Sequence, residues 1–422
     1  MNYQTPRGTY DILPDEIGAW QEMENRIRKI TAGYRFREIR TPYFEDTRVF
    51  ARENDSSDMV NKEMYTFTPG SDSYTLRPEG TAGVIRAFDQ HKLYGSMELP
   101  AKFYYMGPMF RHERPQKGRQ RQFTQFGVET IGVKSPLIDA ETIALGIDIV
   151  RAMGISSVKV LINTLGDDES RTAYRNALKE YFAPHLDTLC ADCRRRYVQN
   201  PLRILDCKVD HDHPAMKDAP RLSDYLNEES SAYFRQVLDA LDAMGIEYEI
   251  DDRLVRGLDY YTHTVFEVQS TRPDSGAQAT VFAGGRYDHL VEYFGGPQMS
   301  GMGFAIGLER LLNLAVEEGF SVPDTNNADI YIISLGNTGS APLKIAEDLR
   351  HQGFVTEVNL TPRSLKAQFK SADRSGAPFT VILGEEELAK GEANVKCAKD
   401  KVQKTVSLEK LAETIREWEK NN

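Results

Sequence analysis

Cysteine is scarce. Cys190, Cys193, Cys207 and Cys397 are the only four in 422 residues, which excludes a disulfide-framed scaffold. Long apolar runs are missing: none approaches the ~20 residues that a membrane-crossing helix needs. The opening MNYQTPRGTYDILPDE has neither an apolar core nor a cleavage signal, so a cytoplasmic protein is expected. There is no extended low-complexity tract and no GxxxxGK[ST] phosphate loop, which sets aside P-loop phosphotransferases. Positive charge is also in deficit, with 52 Lys+Arg against 63 Asp+Glu and a net charge of −11. That balance excludes a protein that coats nucleic acid without specificity. It leaves room for a local basic surface, because the field at a site follows the charge distribution.

What is present is an ordinary globular composition, 40% hydrophobic and 27% charged, in a chain too long for a single core. The most informative stretch is Tyr104 to Gly132, YYMGPMFRHERPQKGRQRQFTQFGVETIG. Tyr104, Tyr105, Met106, Met109 and Phe110 predict one strand, and Phe123, Phe126, Val128 and Ile131 a second. The connecting RHERPQKGRQR holds five cations (Arg111, Arg114, Lys117, Arg119, Arg121) and one anion, Glu113. Such a tip is either a solvated loop or a cradle for a polyanion or triphosphate. Period-2 alternation sets Arg111, Gln125 and Glu129 on one face.

The rest of the chain reads in order. PRGTYDILPDE is a punctuated turn before a helix with Asp15 as N-cap and Gly33 as its end. FREIRTPYFEDTRVFAR predicts a short strand, Phe36 to Arg40, stopped at Pro42. Asn54 to Phe67 is polar and expected to be mobile. YTLRPEGTAGVIRAF predicts strand, turn and helix, with Pro78, Glu79 and Gly80 in the turn and Thr81 near the cap. Spacing makes Glu79 an acid favoured by the helix dipole, or an acceptor for an ammonium group. Ser135 to Gly154 is an amphipathic helix and residues 158–166 a strand.

Residues 167–225 read as an insertion. Its CADCRRRYVQNPLRILDCKVDHDH has a C-x2-C pair, then Cys207, His211 and His213. The second half is not a clean knuckle, with one cysteine and two histidines a single residue apart, so no metal is expected. Arg194, Arg195 and Arg196 are either an RNA-facing edge or a solvated helix end. After a helix over 228–244, LVRGLDYYT (Leu254 to Thr262) lies between two strands. Arg256 brings a planar cation, and Tyr260 and Tyr261 bring phenols on flat rings. MSGMGFAIGLERLLNL predicts strand then helix, with Arg310 early in the helix. Residues 317–327 form a linker, and beyond it strands and helices alternate as in a small, mostly parallel α/β domain. There PFTVILGEEEL and NVKCAKD each read as strand, and SLEKLAETIREWEK as the closing helix. Lys366, Lys370 and Arg374 share one helix face, for phosphate contact or for solvent.

FRHERPQKGRQRQF resembles motif 2 of class II aminoacyl-tRNA synthetases, in the form found in histidyl-tRNA synthetases. LRPEGT, LVRGLDYYT, AGGRYDHL and GMGFAIGLER resemble further elements of that family, the last being its motif 3, and residues 36–42 resemble motif 1. His289 stands where the family usually has glycine. The resemblance implies an α+β catalytic domain, an antiparallel sheet flanked by helices, over residues 1–325. It implies an α/β anticodon-binding domain over 326–422. It implies ATP-dependent ligation of L-histidine to tRNA(His) through a histidyl-adenylate, with Mg2+, in a cytoplasmic homodimer with no membrane association. Arg111, Arg256 and Arg310 are then the catalytic cations. Histidine is held by Glu79, Gly80, Thr81, Arg111, Gln125, Glu129, Arg256, Tyr260 and Tyr261; ATP by Arg111, Arg119, Phe123 and Arg310; and the tRNA acceptor end by Arg114 and Gln116. The competing reading is a non-catalytic, histidine-sensing regulatory subunit of ATP phosphoribosyltransferase. That family typically lacks the C-terminal domain and erodes the arginines retained here.

Overall fold

The computed structural model describes residues 3–51, 59–115, 118–207, 209–255, 260–273, 279–322 and 327–420. Two compact units emerge: one spans the residues up to Leu13 with Ala19–Ser321, the other Val322 onward with Pro14–Gly18.

The larger unit begins with β1 (Arg37–Glu38), shorter than the predicted strand. Then β2 (Phe44–Asp46), β3 (Tyr65–Phe67) and β4 (Tyr74–Leu76) make a small antiparallel sheet in the order β2-β4-β3. The main sheet continues with β5 (Ala101–Phe110), β6 (Gln122–Ile131), β7 (Val158–Thr164), β8 (Glu249–Ile250), β9 (Thr262–Ser270), β10 (Thr280–Tyr287) and β11 (Gly301–Gly307). Its order is β1-β5-β6-β11-β10-β9-β7-β8. The end pairs β1–β5 and β7–β8 are parallel, and every pair between them is antiparallel.

Flanking helices cover this sheet. The first helix of the chain runs Pro14–Gly33, of which Ala19 onward belongs to this unit. Leu13, not Asp15, is its N-cap, because Pro14 takes the first helical position, where its missing N–H costs nothing. The helix Pro136–Ala152 is capped by Ser135 and is buried along most of its length, in contact with the helix Glu228–Ala243. One buried ion pair pins it to the sheet. Arg286 of β10 donates through Nε to both Asp139 oxygens at 3.0 and 3.2 Å, with a further bond from Nη2. Asp139 also accepts from Thr264 at 2.7 Å and Tyr233 at 3.2 Å. Burial pushes the Asp139 carboxyl up, and the bidentate guanidinium and the two hydroxyl donors oppose that shift.

Between β7 and β8 the chain leaves the sheet for a helical insertion. Its helices Asp168–Phe182 and Ala191–Gln199 and several shorter turns close over Tyr174, Leu178, Phe182, Cys193 and Ile204.

The smaller unit carries β12 (Ile330–Ser334), β13 (Thr356–Val358), β14 (Phe379–Leu383), β15 (Glu392–Cys397) and β16 (Gln403–Ser407). The order is β13-β12-β14-β15-β16, with β12 parallel to both neighbours and β14–β15–β16 antiparallel. The sheet is therefore half antiparallel, against the mostly parallel expectation. KVQKTVS hides β16, since only Val406 of that strand is buried. The stretch GEEEL is not strand but the start of a helix, Glu385–Lys390. Three glutamates in its first turn complement the helix dipole, and Gly391 closes it at φ 71°. Lys366, Lys370 and Arg374 are all exposed on the helix Leu365–Arg374.

Candidate active site

Strand pairing sets the site. In the β5–β6 hairpin Phe103 faces Glu129 and Gly107 faces Gln125; on the other side of β6, Gly303 faces Glu129 and Gly307 faces Gln125. The glycines clear space above the sheet. A Cβ on Gly303 would come within 2.2 Å of a Glu129 carboxylate oxygen, and one on Gly80 within 2.3 Å of the Tyr105 ring. The result is a cavity of about 650 Å³ reached by Arg111, Gln125 and Glu129 from the hairpin, as alternation predicts.

One neighbourhood in this cavity is a carboxyl cluster. The helix Thr81–Gln90 starts directly after Glu79. The Glu79 carboxylate accepts from the backbone N–H of Thr81 at 2.6 Å and of Ala82 at 2.9 Å, so it serves the helix start and still lines the cavity. The Thr81 hydroxyl donates to one oxygen of Glu129 at 2.6 Å, and the Tyr287 hydroxyl donates to the other at 2.6 Å. Burial pushes Glu129 from an ordinary 4.5 up to about 8; these two hydroxyls oppose the shift and nearby Glu79 adds to it. Among the described residues, two polar atoms here are buried without a hydrogen-bond partner: the Tyr105 hydroxyl and Gln125 Oε1. Such buried polar groups beside a cavity mark where a polar ligand fits.

The second neighbourhood is cationic. Arg111 donates through Nε to the Pro78 carbonyl at 2.8 Å, and its guanidinium lies 5.3 Å over the Phe123 ring. Its outer nitrogens have no partner among the described residues. Arg119 pairs loosely with Glu113 at 3.5 Å. Arg310 donates to the Thr280 carbonyl at 2.6 Å. Burial, then the adjacent Arg119, hold the Arg310 guanidinium below its ordinary value. Two like charges this close are costly unless an anion joins them. Carboxylates are nearby too: Glu309 accepts from Thr124 N–H at 2.7 Å and Glu267 from Gln269 at 2.8 Å, and both line the cavity.

The other sequence candidates separate. Gly80 is buried against Tyr105, and Tyr260 and Tyr261 line the cavity with ring centroids 4.8 Å apart. Arg114 is exposed at the hairpin tip. Arg121 turns away, with its stem packed on Gly8 and its Nε on the Glu113 carbonyl at 3.2 Å. Gln116 and Arg256 lie outside the described residues, as does part of the polar stretch 54–67. His289 is absent from the cavity wall and pairs with Asp168 at 3.1 Å. Tyr105 and Tyr287 are the residues sequence reasoning missed. Aromatics in a strand read as packing; the Tyr287 hydroxyl gains its role only from Glu129 two strands away, and Tyr105 from lining the same cavity.

The histidyl-tRNA synthetase family model matches residues 8–311, and an anticodon binding domain matches residues 329–418. The histidine–tRNA ligase of Lysinibacillus sphaericus is 49% identical over 414 residues, covering 97% of this chain and 98% of that protein. Among solved structures, apo histidyl-tRNA synthetase of S. aureus superposes with a TM-score of 0.85 at 41% identity, covering 98% of this chain and all of that one. An ATP phosphoribosyltransferase regulatory subunit/histidyl-tRNA synthetase of Bacillus halodurans shares the fold at 20% identity, with a TM-score of 0.64 and coverage of 91% and 99%. Matched over nearly its whole length, with the family's sheet and motif residues around one cavity, the chain belongs to the histidyl-tRNA synthetase family.

Proposed function

We propose that the protein joins L-histidine to tRNA(His) at the expense of ATP, releasing AMP and pyrophosphate. The observation that carries this reading is the shared cavity of Glu129, with its two hydroxyl donors, and of Arg111, Arg119 and Arg310. In the first step the histidine carboxylate attacks the α-phosphorus of ATP. The nucleophile is already an anion, so the protein needs no base. It must position two anions and hold the charge that develops. Arg111, anchored through Nε, bridges carboxylate and α-phosphate. Arg256 takes the opposite side of that phosphate. Arg119 and Arg310 hold the departing pyrophosphate, and Phe123 stacks the adenine end.

Glu79, Gly80, Thr81 and Gln125 receive the α-amino group, and the unpartnered Gln125 Oε1 is a ready acceptor for it. Glu129 and Tyr261 bind the two imidazole nitrogens, with Tyr260 against the ring. A side chain lacking those nitrogens would leave buried polar groups unpaired, which makes such a site selective. In the second step a ribose hydroxyl of the tRNA 3′ end attacks the acyl carbon and AMP leaves. Arg114 and Gln116 guide that end. Mg2+ would neutralise the ATP phosphates; the carboxylate oxygens of Glu113, Glu267 and Glu309 beside Arg119 and Arg310 suit such a hard cation.

Residues 1–325 form the catalytic part and 326–422 the anticodon-binding part in this reading. Homodimerisation through the motif 1 region is supported by the exposed aromatics Tyr43, Phe44 and Phe67 at the small sheet. A cytoplasmic location fits the absence, among the described residues, of any helix long and apolar enough to cross a membrane. The test is ATP–pyrophosphate exchange with each of the twenty amino acids, for the wild type and Arg256→Ala. Exchange with histidine alone, collapsing in the variant, is expected. Tight histidine binding without exchange would favour the regulatory paralogue instead.

A further inference from the structure

The insertion gathers side chains that the ligation chemistry does not use. Cys190 caps the helix Ala191–Gln199 and Cys193 lies in its first turn; Cys207 and Asp210 follow a turn of 3-10 helix, Pro201–Ile204. Four ligand-capable atoms, one from each residue, all lie within 4.8 Å of one another. Cys190 Sγ is 3.7 Å from Cys207 Sγ, and Cys207 Sγ is 3.8 Å from Asp210 Oδ2. Sulfurs 2.3 Å from a tetrahedral zinc lie about 3.8 Å apart, and a sulfur and a carboxylate oxygen about 3.5 Å. A disulfide instead needs sulfurs about 2.05 Å apart, and the cysteines are free.

The two halves of the cluster repeat one local geometry. The N–H of Cys193 donates to Cys190 Sγ at 3.4 Å, and the N–H of Asp210 donates to Cys207 Sγ at 3.4 Å. In each half the backbone N–H three residues on points at the first sulfur, so the two halves present their sulfurs in the same way. Asp210 is therefore the ligand missing from the sequence pattern. His213 is committed elsewhere, accepting from Ala215 N–H at 3.2 Å, and His211 is exposed beside Asp212.

We propose that Cys190, Cys193, Cys207 and Asp210 bind one Zn2+ ion as a structural site, the three thiols releasing their protons to solvent. The ion ties the start of the helix Ala191–Gln199 to the segment that carries Asp206, the neighbour of Cys207, to the cavity wall.

The test uses the full-length protein, stripped with chelator under reducing conditions and titrated with Zn2+ or Co2+ alone. One tightly bound Zn2+ per chain is expected, with Co2+ giving thiolate charge-transfer and tetrahedral d–d bands. Cys193→Ser should lose both signals, while Asp210→Cys should keep the metal and shift the Co2+ spectrum toward all-sulfur ligation. Cys397→Ser, at the other end of the chain, should change neither. Absence of bound metal in the wild type, or binding that survives Cys193→Ser unchanged, would overturn the assignment.

Discussion

Replacing Glu129 with glutamine separates that side chain's charge from its shape. In the ligand-free protein burial raises the carboxyl from 4.5 to about 8. The folded state thus holds this proton more tightly than the unfolded chain does. The stabilising contribution is complete below pH 4.5 and is lost as pH rises through about 8. At about 1.4 kcal/mol per pKa unit, the loss between pH 6 and pH 9 is roughly 3 kcal/mol. Glutamine carries no such proton and still offers an acceptor to Thr81 or Tyr287. Denaturant unfolding of wild type and Glu129→Gln, without ligand and across that pH range, reads the difference directly. The variant should gain roughly 3 kcal/mol on the wild type, a shift on the order of 5 °C in the melting of the larger unit. Histidine binding should fall in the variant at every pH. Identical pH slopes for the two proteins would refute the reasoning, because Glu129 would then be ionised throughout in the folded state.

Three further outcomes follow from named contacts. Tyr105→Phe removes a buried hydroxyl that has no partner among the described residues, so the ligand-free protein should be as stable or about 1 kcal/mol more stable, while calorimetry should show weaker histidine binding. Arg310→Gln should raise the KM for ATP about 10- to 100-fold, the worth of a charge-assisted hydrogen bond, and leave the histidine Kd unchanged. Arg286→Met strands Asp139 in the core and should cost about 3–5 kcal/mol in unfolding experiments, most of it recovered when Asp139→Leu is added.

Much of this was legible because the site is built on regular elements. Alternation along β6 sets Gln125 and Glu129 on the face that Arg111 also reaches, and the Pro-Glu-Gly turn fixes where the next helix starts. What stayed hidden depends on distant pairing. Nothing local joins Tyr287 to Glu129, which are 158 residues apart and meet only because β11 lies between β6 and β10. Arg119 and Arg121 are equivalent in sequence, and the packing of the Arg121 stem on Gly8 is what leaves Arg119 for the cavity. The proximity of Asp210 to the cysteines is not legible, because aspartate is common in loops and Cys190 and Cys193 lie at the start of an earlier helix. In the smaller unit β16 escaped notice because an edge strand with one buried side chain has no hydrophobic period to read.

The most direct measurement is charging itself: the wild-type chain, ATP, Mg2+ and labelled histidine with a tRNA(His) transcript. Histidyl-tRNA should accumulate to a plateau near one histidine per tRNA, none should form with a non-cognate tRNA, and Arg111→Ala should abolish the reaction. Histidine binding by the wild type with no charged tRNA under those conditions would contradict assignment as a ligase.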